Sequence, residues 1–130
     1  MGGGPSSQAL GRQGEQIVGV FLERHGYRIL ARNYRCRLGE IDLIAQHDSV
    51  IAFVEVRTRR GSVFGPPELS VDRRKQQRLI RTALDYLSKH RCGQCAFRFD
   101  VAAIEVDSRD LAKLRYIENA FVPDEEVGEH

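Results

Sequence analysis

Glu40-Ile41-Asp42-Leu43-Ile44-Ala45-Gln46 and Val50-Ile51-Ala52-Phe53-Val54-Glu55-Val56-Arg57, separated by His47-Asp48-Ser49, form the stretch that decides the fold. Both runs are rich in β-branched and apolar residues, and the short polar break between them predicts a hairpin with Asp48-Ser49 at its tip. Counting outward from that tip sets Asp42 opposite Glu55, Glu40 opposite Arg57 and Ile44 opposite Phe53. Strand alternation then puts Glu40, Asp42, Glu55 and Arg57 on one face. Ile41, Leu43, Ala45, Ala52, Val54 and Val56 fall on the other, an apolar set suited to a core. A slip of one residue would exchange the faces, so everything that follows depends on the turn.

Carboxylates in such strands are costly unless they are paired. Directly opposed β-carbons lie about 4.5–5.5 Å apart, where like charges repel. Two carboxylates at that spacing can bracket a hard divalent cation such as Mg²⁺, which also takes phosphate oxygens. Such an ion polarises a phosphodiester and acidifies water, and Arg57 on the same face can grip a phosphate bidentately. The plainer alternative is a solvated strand face on which Glu40 and Arg57 form a surface ion pair. The setting Val54-Glu55-Val56, inside an otherwise apolar run, argues against it.

Outward from the hairpin, Leu10, Ile17, Val18, Phe21 and Leu22 recur at helical spacing, which predicts a helix from Gln8 to Arg24 stopped by Gly26. Tyr27–Tyr34 reads as a first strand and Cys36–Gly39 as a turn. Thr58–Pro67, with two glycines and two prolines, is expected to be an exposed loop carrying Arg59 and Arg60 beside Arg57. Ser70 is the expected N-cap of a second helix running through Lys89, with Leu79, Ile80, Ala83, Leu84 and Leu87 on its apolar face. Ala96–Glu105 is a further strand, and Leu114–Phe121 suits a short strand or a helical turn equally. The order α-β-β-β-α-β describes an α/β fold, a mixed β-sheet flanked by helices. Residues 1–8 are expected to form a flexible N-terminal tail, 9–122 a single domain and 123–130 an acidic C-terminal tail.

At 130 residues, 42% of them hydrophobic, the chain is long enough to bury one core without staples. No apolar run approaches a membrane span, and the N-terminus lacks the charged and apolar regions of a secretory signal. Three cysteines make an odd count with no disulfide framework; Cys92 and Cys95 are expected to be ordinary thiols in a turn, and the compartment cytoplasmic. The net charge of +2 conceals a basic middle: residues 57–91 carry ten Lys/Arg against three acids. Arg74, Arg78 and Arg81 form a stripe on the second helix, suited to tracking phosphates or simply to facing solvent. Tyr34 and Phe64 are the aromatic candidates for base stacking.

At Gly11-Arg12-Gln13-Gly14-Glu15, Gly26-Tyr27, Ala31-Arg32-Asn33-Tyr34, Gly39–Ile44, Phe53–Arg59, Phe64-Gly65 and Lys75-Gln76 the chain resembles the PD-(D/E)xK nuclease superfamily. Within it the chain looks most like the YraN-like proteins, which are similar to Holliday-junction resolvases. The resemblance covers about Leu10 to Phe121. It implies a restriction-endonuclease-like core and a Mg²⁺-dependent endonuclease, with Mn²⁺ as substitute, cutting DNA that is branched or part of recombination and repair. Asp42 and Glu55 would bind metal together with the Val56 carbonyl, Glu15 would add an acid, and Lys75 and Gln76 would reach the site from the second helix. Arg59, Arg60, Arg74, Gln76, Arg78 and Arg81 would contact the nucleic acid, and a homodimer would suit cutting two strands. The motif's lysine position is Arg57 here, and arginine keeps its proton where lysine can lose it. Two rival readings follow: a non-catalytic nucleic-acid-binding module with a degenerate site, and a scaffold whose basic helix binds an acidic partner.

Overall fold

In the computed structural model, which describes residues 7–61, 71–90 and 95–123, the hairpin pairs in the predicted register. Strand β2 (Gly39–His47) and strand β3 (Val50–Arg60) run antiparallel from His47↔Val50 to Leu43↔Val54. Asp48 turns the corner at φ 54°, a left-handed conformation that Asp tolerates better than most residues. Strand β1 (Arg28–Cys36) lies antiparallel on the outer side of β2.

Strand β3 is longer than its composition suggests. Strand β4 (Ala96–Val106) runs parallel beside it from Val50↔Ala96 to Arg60↔Val106, and this partner holds Thr58, Arg59 and Arg60 in the sheet. The expected loop therefore begins later, and 62–67 lie outside the described residues. A parallel pair needs a crossover, and helix α2 (Arg73–Lys89) supplies it between β3 and β4. Its cap is Asp72 and not Ser70, which lies outside the described residues: the Asp72 carboxylate accepts the Lys75 N–H at 2.9 Å.

The ambiguous C-terminal stretch is strand β5 (Ala112–Phe121), antiparallel to β4. Asp107 makes that return possible by accepting the N–H groups of Arg109 and Leu111. The sheet order is β1-β2-β3-β4-β5, and the element order is α-β-β-β-α-β-β.

Helix α1 (Ser7–Arg24) covers one face of the sheet, where Val18 and Leu22 meet Leu43, Ala45, Ala52, Val54, Ala102 and Ile104. Helix α2 covers the other, where Leu79, Ala83, Tyr86 and Leu87 meet Ile44, Ile51, Phe53, Phe99 and Val101. The face carrying Asp42 and Glu55 is thus a second core and not a solvated surface. Ile41 departs from the expected alternation and joins the α2-side core, because the β2–β3 ladder ends at Leu43↔Val54 and β2 before that point is held by β1. Cys95 is disulfide-bonded, correcting the expected free thiol; Cys36 is free, and Cys92 lies outside the described residues. Among the described residues no helix is long and apolar enough to cross a membrane.

Gly14 sets how closely α1 approaches the sheet, since a β-carbon there would overlap Thr58 Oγ1. Gly14→Ala should lower stability by about 1–3 kcal/mol in urea denaturation, the overlap outweighing the gain in helix propensity. Gly11→Ala, with nothing within 4 Å of the new methyl, should be neutral or stabilising.

Candidate metal and phosphate site

The site begins where the hairpin ladder ends. Beyond Leu43↔Val54 the ladder stops, the next residues of the two strands being Asp42 and Glu55, and the Asp42 carboxylate, Oδ2, accepts the Val56 N–H at 2.8 Å. The side chain thus takes a backbone donor at the point where the ladder stops. Glu55 is only 6% exposed. The first turn of α2 lies over the pair and brings Lys75 Nζ to 2.7 Å from Glu55 Oε2, with Arg57 Nε at 3.7 Å from the same oxygen.

Burial and the neighbouring Glu55 charge push the Asp42 carboxyl up to about 7, Glu15 adding to the effect and the Val56 N–H opposing it. A carboxyl so placed is uncomfortable when ionised, and a cation would relieve it. The pair opens into a cleft of about 400 Å³ rimmed by Arg74, Lys75 and Arg78. Asp42 and Glu40 also border a second recess of about 340 Å³, together with Arg12, Glu15, Asn33 and Arg35. A larger groove of about 900 Å³ lies on the α1 side of the sheet, mostly apolar and away from the acids.

The structure therefore gathers Asp42, Glu55, Arg57 and Lys75 in one place, sets Glu15 beside Asp42, and puts Arg74 and Arg78 on the rim. Val56 turns its side chain into the α1-side core, and its N–H is the group that meets Asp42. Other expected site residues are elsewhere. Gln76 is tied down, its amide donating to the Val71 carbonyl at 2.9 Å. Arg60 points to the opposite face and pairs with Asp110 at 2.8 Å. Arg59 has Nε and Nη2 buried, because it belongs to a paired strand and not to an open loop. Arg81 is exposed on α2 and does not line the cleft. Tyr34 is a core residue whose hydroxyl donates to Asp85, and Phe64 lies outside the described residues.

Glu40 pairs with Arg35 at 2.8 Å and not with Arg57. The β1–β2 register sets Arg35 directly opposite Glu40, a partner that no reading of the hairpin in isolation supplies. Among the described residues no three His, Cys, Asp or Glu side chains converge closely enough to hold an ion by themselves. A cation at the Asp42–Glu55 pair would draw its other ligands from the main chain and water, as Mg²⁺ commonly does.

A family profile described as "Uncharacterised protein family UPF0102" matches residues 14–104. A UPF0102 protein of Alkaliphilus metalliredigens is 47% identical over 115 residues, covering 88% of this chain and 99% of that one. UPF0102 protein STH1475 of Symbiobacterium thermophilum is also 47% identical over 115 residues, covering 88% and 98%. UPF0102 protein GSU0650 of Geobacter sulfurreducens is 40% identical over 119 residues, covering 92% and 93%. Among solved structures, Pyrococcus furiosus SfsA in complex with Ca²⁺ aligns with a TM-score of 0.39 at 13% identity, over 87% of this chain and 64% of that one.

Proposed function

From the premise that the chain belongs to the UPF0102 family, we propose that it is a metal-dependent endonuclease that hydrolyses phosphodiester bonds in DNA, with branched or repair intermediates as the substrate class. The observation that carries this reading is the carboxylate pair at the end of the β2–β3 ladder, Glu55 buried and Asp42 partly so, with an ammonium and a guanidinium beside the same Glu55 oxygen. The donor set fits the proposed cofactor: its ligands are all oxygen, which suits a hard cation, and the Asp42 carboxyl is strained by a like charge. Asp42, Glu55 and the Val56 carbonyl would hold Mg²⁺, or Mn²⁺ in its place. When bound, that ion supplies Lewis acidity to the phosphodiester and to the attacking water.

The chain's own residues do the rest. Lys75, already against Glu55, is placed to donate to a phosphate oxygen and takes the role that the lysine of the superfamily motif holds elsewhere. Arg57, whose Nε lies 3.7 Å from the same Glu55 oxygen, stabilises charge as it grows on the phosphate. Arg74 and Arg78 on the rim orient neighbouring phosphates. A homodimer would present two such sites to two strands.

One observation favours a second reading. Arg57 at the lysine position suits a non-catalytic DNA-binding module equally well. Incubating the protein with linear and branched DNA in Mg²⁺ and in Mn²⁺ separates the two: salt-sensitive binding without cleavage would establish the module and sink the nuclease. Absence of any DNA binding would leave a scaffold for an acidic partner.

The raised Asp42 carboxyl makes a prediction with a definite sign. Its folded value of about 7 exceeds the ordinary 3.8, so the folded protein holds more protons than the unfolded chain between those values. Stability of the metal-free protein should therefore fall as pH rises from about 4 to about 7. Metal binding must release the proton, so Mg²⁺ should raise the melting temperature clearly at pH 8 and hardly at pH 5. Thermal denaturation with EDTA or Mg²⁺ across this range checks it; an equal effect of Mg²⁺ at both pH values would contradict the assignment.

A further inference from the structure

The sheet register extends the site in a direction that the hairpin does not show. Arg57 on β3 pairs with Ala103 on β4, and Ala103 pairs with Arg115 on β5. Paired residues project from the same face, so Arg57 and Arg115 stand on the Glu55 side, two strands or about 10 Å apart, with the fully buried Ala103 between them. Lys113, two residues before Arg115 on β5, stands on that face too, while Leu114 and Tyr116 turn into the α1-side core. Lys113 is exposed and the Arg115 side chain is half exposed. The acid among them is Glu105, whose carboxylate is 4.0 Å from Arg115 Nη1.

We propose that Arg115 and Lys113 form a second phosphate-binding flank, so that the nucleic-acid strand crosses the sheet from the α2 rim, over Asp42 and Glu55, toward β5. The proposal rests on the nuclease reading and gives the bound strand a direction. Arg74 and Arg78 hold phosphates on one side of the acids, and Arg57, Arg115 and Lys113 hold them on the other. Cations on an edge strand also discourage edge-to-edge pairing, but that purpose does not require them to align in register with Arg57.

The test is fluorescence anisotropy with labelled single-stranded and duplex DNA over a series of salt concentrations, comparing wild type with Lys113→Ala/Arg115→Ala. Lys89→Ala, at the far end of α2, is the control. The double variant should bind about tenfold more weakly, with its log–log salt slope reduced by between one and two. Its Mg²⁺-induced rise in melting temperature should equal that of wild type, which shows the acid pair intact. Arg115→Lys should retain most of the affinity. Wild-type affinity and slope in the double variant would overturn the flank and leave the nuclease reading standing. An equal loss in Lys89→Ala would also overturn it, by showing diffuse attraction. A wild type that binds no DNA would overturn both.

Discussion

Asp42→Asn should yield a protein that is more stable than wild type at pH 8 and inactive. Asparagine keeps an oxygen that can accept the Val56 N–H, so the end of the β2–β3 ladder stays as it is. It removes the charge that burial and Glu55 make unfavourable. The gain should be on the order of 1–3 kcal/mol at pH 8, reduced from the full linkage value because water enters the cleft. The gain should shrink as pH falls toward 4, where the wild-type carboxyl is itself protonated. On the nuclease reading, cleavage should drop about a thousandfold or more, because several kcal/mol of transition-state stabilisation would be lost with the metal. Urea denaturation at pH 5 and pH 8, calorimetric Mg²⁺ titration and a cleavage assay together decide it. A variant that is destabilised at pH 8 would show that Asp42 serves the fold. That outcome would remove the main support for a metal site.

Lys75→Ala should have the opposite signature, losing stability and activity together. Glu55 is nearly inaccessible, and the ammonium at 2.7 Å is its nearest cation. Removing Lys75 leaves the buried Glu55 carboxylate with the more distant Arg57, at 3.7 Å, and so less well compensated. Because Lys75 is itself partly exposed, the cost should be about 1–2 kcal/mol, smaller than for a fully buried pair. Mg²⁺ should then stabilise the variant more than it does wild type, since it no longer competes with the ammonium for Glu55. On the nuclease reading, cleavage should still fall about a hundredfold or more, as expected for deleting one preorganised cation from a phosphoryl-transfer site. Lys75→Arg should recover stability and only part of the activity. Full activity in Lys75→Ala would assign the cationic chemistry to Arg57 instead.

How much of this was legible in the sequence depended on how far apart the interacting residues lie along the chain. The hairpin register could be counted because its turn is two residues long and its strands alternate with a period of two. That count also brings Asp42 near Glu55, just past the last pair of the ladder. The end of β3 could not be read that way, because the strand that holds Arg59 and Arg60 in the sheet begins at Ala96. Arg60 pairs with Asp110, fifty residues on, so its diversion to the opposite face leaves no local trace. Ser70 and Asp72 are both good caps, and only the observed backbone chose between them. Gln76 sits beside Lys75 in sequence, yet a helix turns adjacent residues about 100° apart, so one reaches the acids and the other the Val71 carbonyl. Leu114–Phe121 became a strand because β4 offered an edge to pair with, which is information from a neighbouring element.

The ladder from His47↔Val50 to Leu43↔Val54 is complete before the acids are reached. Five residue pairs of ordinary apolar and polar type fix the hairpin, and neither Asp42 nor Glu55 is among them. Shape and chemistry are therefore written in adjoining segments of the same two strands. Such an arrangement lets the residues at Asp42 and Glu55 change in a lineage while the hairpin register is kept. The same sheet can persist as an enzyme in one descendant and as a binding surface in another.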